Sequence, residues 1–306
     1  MKNFKIVNLR ALAIITVVIG HSIILYSSKW NIIETTVSFP LLDKLKDYIN
    51  LYQMQLYFFI SGFLCYYGMK KTNYYSFLKK KGKRLLIPYF VFGLLWMIPI
   101  KLAIGFYDVT QLKRVLFWLF IGKNNGHLWF LYSLFVVFAL SFPVNKIVLY
   151  NKKNGFLVLT ATFVISCFDL NVTCFDIGMS LKYLFWFEFG FLVNLLEGRK
   201  LWMLSLLFVT AIWGCFTESN VFYSLVIVVG LFFLTPNSYN KILEEIDNNS
   251  FGIYLLHSPL VYITYTYMTN MSPFIVVSIN IVVCGFIAFA LTRVIKNSKI
   301  NNYLKI

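Results

Sequence analysis

Charge is what this sequence has least of. Only 13% of its 306 residues are charged and only 12 are acidic, about half the charged fraction of a soluble domain. Cysteine is sparse: Cys65, Cys167, Cys174, Cys215 and Cys284 make an odd total, with no Cys-x-x-Cys pair and no zinc spacing. Cys167 and Cys174 are near enough in sequence to meet at one helix end, but nothing requires a disulfide. No carboxylate cluster offers a calcium or magnesium site. Walker loops, dinucleotide fingerprints and Gly-x-Ser-x-Gly elbows are also missing. Metal-dependent and ATP-driven chemistry are therefore not expected, and no internal repeat of the transporter kind is present.

What is there is apolar. Hydrophobic residues make up 59% of the chain and aromatics 19%, with a mean hydropathy of +0.72. Apolar runs recur at about 11–29, 50–69, 85–104, 127–145, 156–171, 178–196, 201–216, 220–236, 250–268 and 274–294. The expectation is an all-α polytopic membrane protein of about ten transmembrane helices, forming a single domain over 1–306. The first run lacks a small-residue cleavage site and is followed by nine more, so it reads as a retained helix. Segment 110–121 is short and carries Lys113 and Arg114, which suits an interfacial or re-entrant element.

With ten crossings, both termini fall on the cytoplasmic side. That side then collects Lys2, Lys5 and Arg10, the cations between 70 and 84, and most of the remaining Lys and Arg residues. The formal charge of +16 follows from this bias. Cations scattered over helix ends make no groove for a duplex, so nucleic acid is not a partner. The run Lys79-Lys80-Lys81-Gly82-Lys83-Arg84 exceeds ordinary bias. Anionic lipid headgroups, or a multiply phosphorylated cofactor, would be drawn to it.

Polar residues inside apolar runs are costly and mark function by default. Arg10 and His21 lie in the first run, eleven residues apart. That is about three turns plus 20°, so both share one helix face about 16 Å apart along the axis. His257 lies two turns inside the ninth run, two residues before Pro259, which frees a backbone carbonyl that the imidazole would satisfy. Glu188, within Phe185-Trp-Phe-Glu188, must be protonated or paired, and the sequence does not choose among His21, His257 and a cation. Ser61-Gly62 suits close helix packing. Trp129, just after His127, opens the fourth run at an aromatic-belt position.

Together these residues resemble the acyltransferase-3 family of integral-membrane acyltransferases, especially its fucose 4-O-acetylase-like branch. The resemblance covers essentially the whole chain. It rests on Arg10 and His21 within Asn8-Leu-Arg-Ala-Leu-Ala-Ile, and on Phe58-Phe-Ile-Ser-Gly-Phe63. It also rests on the basic segment before Leu86-Ile-Pro88-Tyr89, on Leu128-Trp-Phe-Leu131 and on Gly252-Ile-Tyr-Leu-Leu-His257.

The resemblance implies transfer of acetyl from acetyl-CoA to a sugar hydroxyl of a cell-envelope polysaccharide or its lipid-linked precursor, at a bacterial cytoplasmic membrane. His21 corresponds to the family's histidine and Arg10 to its arginine. Lys81-x-x-Arg84 stands for Arg-x-x-Arg, so Arg10, Lys81, Lys83 and Arg84 become the expected contacts for the phosphates of CoA. The lysine at position 81 keeps the charge but loses the bidentate fork. Asn8 stands where many members have Asp. His21 is expected to act as general base or transient acetyl carrier, with Glu188, His257, Ser61 and Trp129 in support and no metal. The competing class is a proton-coupled exporter or flippase of an anionic or lipid-linked sugar, which would neither bind CoA nor change a covalent bond.

Overall fold

The structure is a computed structural model that describes residues 3–24, 26, 39–69, 72–123, 125–168, 170, 172–196, 206, 210–213, 220–304 and 306. Every regular element among them is helical. Helix α1 spans Phe4–Ile24 and buries residues all round its axis, as a helix without a polar face does. Helix α2, Pro40–Asn50, starts on a proline and buries one stripe, Leu42, Lys46 and Ile49. Helix α3 is Gln53–Met69. Helix α4, Tyr74–Phe92, runs through a π turn at Gly93–Met97 into α5, Ile98–Ala103. The widened turn comes just before Pro99, which lacks the N–H to continue the ladder.

A short turn capped by Asp108, which accepts from the Thr110 N–H, opens α6, Leu112–Phe120. Helix α7 is Trp129–Tyr150 and α8 is Asn154–Cys167. Phe175 and Asp176 have positive φ and set the start of α9, Ile177–Leu195. Helix α10 is Val221–Leu234. Asn240 accepts from the N–H groups of Ile242 and Leu243 to cap α11, Lys241–Tyr267. Helix α12, Pro273–Ile279, a π turn at Asn280–Cys284, α13, Gly285–Asn297, and α14, Asn301–Leu304, complete the chain.

The expectation of about ten transmembrane helices is overturned. Among the described residues four helical stretches are long and apolar enough to cross a membrane: Phe4–Ile24, Tyr74–Ala103, Gly126–Tyr150 and Pro273–Asn297. Most of the other apolar runs do form helices, but these fall short of the roughly 20 apolar residues a crossing needs. Helix α3 has 17 residues, and α8 and α10 have 14 each. Helix α9 has 19 but dilutes them with Lys182, Glu188 and Asn194. Helix α11 has 27, and its first half carries Glu244, Glu245, Asp247, Asn248 and Asn249. The run at 201–216 lies largely outside the described residues. The basic run at 79–84, expected in a loop, is helical and belongs to α4.

The chain forms two compact units, each discontinuous in sequence. The first comprises 1–53, 91–114 and 230–306. Its central pair is α1 against α11. Asn8 of α1 donates to the carbonyls of Pro236 and Ser238 just ahead of α11. A core of Ile23, Ile24, Leu42, Ile49, Val261, Tyr262, Val276 and Val277 joins α1, α2, α11 and α12. Gly252 of α11 lies so close to Thr292 of α13 that no side chain fits between them.

The second unit comprises 54–90 and 115–229. Its most buried helix is α9, with Phe185, Phe187, Phe189 and Phe191 almost without exposure. Helices α3 and α9 meet backbone to backbone. A Cβ on Gly62 would collide with the Phe187 carbonyl, and one on Gly190 with the Phe59 carbonyl, a reciprocal small-residue contact. Asn194 then donates to the Phe63 carbonyl, 2.6 Å away.

Candidate active site

Two polar rungs connect α1 to α11 in the first unit. Arg10 Nη2 meets Asp247 Oδ2 at 2.7 Å. His21 Nδ1 meets His257 Nε2 at 2.8 Å, the rings 4.9 Å apart between centroids. Both partners advance together along the sequence, so the helices run parallel. Eleven residues separate the polar pair on α1 and ten the pair on α11, a near match that lets both rungs close. Asp247 has 1% of its side chain exposed and Arg10 32%, so the ion pair is open on the arginine side. A buried carboxylate needs such a partner.

The hydrogen bonds also order the protons. His257 is fully buried, and its Nδ1 lies 2.8 Å from the carbonyl oxygen of Ile253, one turn earlier. A carbonyl only accepts, so His257 Nδ1 carries the proton and, in the neutral ring, Nε2 is the acceptor. His21 Nδ1 must then donate to it, which makes His21 Nε2 the lone-pair nitrogen of its ring. Pro259 does not act as expected, because the imidazole takes the Ile253 carbonyl and not the one that proline frees. A second support comes from the π turn after α4, where Trp96 Nε1 donates to the Leu256 carbonyl at 3.1 Å.

The residue before His21 is Gly20, and α2 fills the space it leaves. A Cβ there would stand 2.8 Å from Gln53 Oε1 and 3.0 Å from Lys46 Nζ. Lys46 is 1% exposed, and burial pulls its ammonium down to about 8. Neither Asp247 nor Lys46 was singled out in the sequence. Asp247 lies ahead of the ninth apolar run, in what reads as polar approach, yet its spacing to His257, ten residues, nearly matches the eleven from Arg10 to His21. Lys46 carries no comparable signal, since only the packing of α2 on Gly20 buries it.

The other expected residues belong to the second unit. Lys81 is packed inward, its Nζ 3.8 Å from the Phe138 ring and 5.3 Å from the Phe77 ring, which holds it by cation–π attraction. Lys83 and Arg84 are exposed on α4. Ser61 is half-buried next to the Gly62 contact. Trp129 is half-buried and packs 5.4 Å from Tyr183 and 6.5 Å from Phe58. Glu188 is 1% exposed and faces Ser141 and Asn145 of α7. Among the described residues no three His, Cys, Asp or Glu side chains converge as a metal site.

Long apolar helices that enclose an ordered histidine pair and an ion pair define an all-α, membrane-associated protein with an internal polar site. Comparison with protein families narrows the class. The acyltransferase-3 family, described as an acyltransferase domain, matches residues 4–294, and the chain belongs to that family. No curated protein and no solved structure matches it.

Proposed function

We propose that the protein is a membrane-embedded O-acyltransferase of the fucose 4-O-acetylase-like branch. In this reading it moves acetyl from acetyl-CoA to a sugar hydroxyl of a cell-envelope polysaccharide or its lipid-linked precursor, in a bacterial cytoplasmic membrane. The observation that carries the reading is the proton order from the Ile253 carbonyl through His257 to His21. It leaves His21 Nε2 as a base whose other nitrogen is held, the arrangement that general-base catalysis by histidine needs.

In the reaction, His21 Nε2 takes the proton of the acceptor hydroxyl while the hydroxyl oxygen attacks the thioester carbonyl. The C–S bond breaks, and the proton passes from His21 to the departing CoA thiolate. The products are an O-acetyl ester and free CoA. The positive charge that His21 carries in between is stabilised through its Nδ1–H bond to His257. Arg10 is oriented by Asp247 and remains about one-third exposed, so it offers a cation to an anionic donor. On α4, Lys83 and Arg84 are solvent-facing and suit the phosphates of CoA, whereas Lys81 is committed to aromatic rings.

The test supplies radiolabelled acetyl-CoA to membranes containing wild type or His21→Ala at matched levels, with envelope carbohydrate as acceptor. Label is expected on carbohydrate with wild type alone. Equal label from both proteins would overturn the role of His21. CoA binding without transfer by wild type, coupled to sugar movement across vesicles, would replace the reading with the exporter.

A further inference from the structure

Helix α2 brings a second polar face to α1, beside the histidine pair. A lysine on a short amphipathic helix ordinarily carries its ammonium out to water; Lys44 of α2 is exposed, and Lys46 is not. Lys46 is 1% exposed and its ammonium meets Gly20, where a Cβ would stand 3.0 Å from Nζ. Asn50 lies one turn further along α2, and Gln53, just past the helix end, donates to Asn50 Oδ1 at 2.9 Å. Gln53 Oε1 comes within 2.8 Å of the same Cβ position. One turn before Gly20 on α1, the Thr16 side chain is hydrogen-bonded to Tyr52. Lys46, Tyr52 and Gln53 thus converge on one strip of α1, Thr16 to Gly20.

Gly20 is the residue before His21, and its lack of a side chain is what admits the ammonium. A Cβ stands about 1.5 Å from its Cα, and successive Cα atoms are about 3.8 Å apart. Lys46 Nζ is therefore within about 4.5 Å of the Gly20 Cα and about 8 Å of the His21 Cα. Neighbouring helix residues point about 100° apart, so the imidazole and the ammonium occupy adjoining faces of α1. A group held at the edge between those faces has the base on one side and a cation on the other. Burial draws the ammonium down to about 8, which leaves it charged at neutral pH. Shielded from water, that charge acts more strongly than it would on the surface.

We propose that Lys46 is a catalytic residue of the transfer reaction, its ammonium stabilising the oxyanion that forms on the thioester carbonyl beside His21. The inference rests on the acetyl-transfer reading of the site. As the acceptor hydroxyl oxygen adds to the carbonyl carbon, His21 Nε2 takes its proton and the C=O π pair moves onto the carbonyl oxygen. That oxygen is fully charged only in the tetrahedral intermediate, where the Lys46 ammonium donates to it. When the pair returns, the C–S bond breaks and the CoA sulfur takes the proton from His21. Lys46 stays protonated throughout. The neighbouring groups are placed for other tasks. Arg10 is about 16 Å from His21 along the axis and bound to Asp247. His257 has its proton on the Ile253 carbonyl and its other nitrogen on His21.

The test measures kcat and KM of the purified full-length protein in detergent, with acetyl-CoA as donor and envelope carbohydrate as acceptor. Lys46→Met is expected to lower kcat by about 10²–10³ and to leave the KM for acetyl-CoA unchanged. Lys46→Arg keeps the charge and should recover part of the loss. Gly20→Ala, whose methyl displaces the ammonium without removing it, should lower kcat by a smaller factor. Wild-type kcat in Lys46→Met would overturn the proposal. So would a raised KM with kcat unchanged, which would make Lys46 a contact for the bound donor. Equal kcat loss in the Met and Arg variants, matched by equal loss of Tm, would reduce Lys46 to a packing role. No transfer by wild type would overturn the acetyl-transfer reading itself; a failure of Lys46 alone is distinguished from it because wild type then still transfers. Should Lys46→Met fail to fold, Lys46→Arg and Gly20→Ala decide.

Discussion

Both units bury polar side chains within apolar helices, and they satisfy them in different ways. In the first unit the polar groups of α1 find partners on α11: Arg10 meets Asp247 and His21 meets His257. In the second, the buried carboxyl of Glu188 on α9 interacts with Ser141 and Asn145 of α7, within one stack of aromatic side chains. A closed network dictates where each proton sits, which is what directs a proton to or from one chosen nitrogen. A lone carboxyl in an apolar interior is costly unless it is protonated or hydrogen-bonded by its neighbours. The contrast separates a pair of groups ordered for moving a proton from a carboxyl enclosed within its own unit.

The sharpest way to break the comparison is to remove its central base. His21→Ala is expected to reduce acetyl transfer to background, with the protein still present in the membrane at wild-type level. Next in size is His257→Ala, which takes away the acceptor for His21 Nδ1–H. It should lower turnover by about 10²–10⁴, whereas His257→Gln, whose amide oxygen can accept the same proton, should recover part of the loss. If both variants fall equally, His257 acts through packing and not through the hydrogen bond.

Gly62→Ala attacks the second unit, since its new methyl meets the Phe187 carbonyl. Forcing α3 off α9 should cost about 3 kcal/mol, read as a lowered Tm. Asp247→Asn breaks the outer rung of the first unit. Because Arg10 is about one-third exposed, the loss should be about 1–3 kcal/mol, below that of a fully buried pair. A double-mutant cycle with Arg10→Gln isolates the coupling.

The smallest effect concerns Lys46. Its ammonium is held near 8 by burial, so above pH 8 the folded state releases a proton that the unfolded chain keeps until about pH 10.4. Stability should therefore rise with pH across that window. Lys46→Met should be flat there in a Tm-against-pH series.

Much of the first unit was legible because helix geometry is local. Two polar residues eleven apart must share a face whatever surrounds them, so Arg10 and His21 could be read together. Asp247 escaped because apolarity begins only at about 250, while the helix begins at Lys241 under the Asn240 cap. Lys81 was misplaced because a run of lysines reads as a loop. Yet Phe77, Lys81 and Leu85 recur every fourth position, a stripe that points Lys81 inward and leaves Lys83 and Arg84 out. The number of crossings failed for another reason. Hydropathy finds apolar runs but does not see how polar residues dilute α9 and α11.

From the sequence alone came the helical class, the apolar surroundings, the shared face of Arg10 and His21, and the family to which they point. Each follows from contacts a few residues apart or from composition. The tertiary structure decided the partners: Asp247 for Arg10 across 237 residues, His257 for His21 across 236, and Ser141 and Asn145 for Glu188. Those pairings depend on which helices pack and in which register. That is set by the sum of many small packing contacts, including the glycines that let backbones touch, and no local periodicity encodes it.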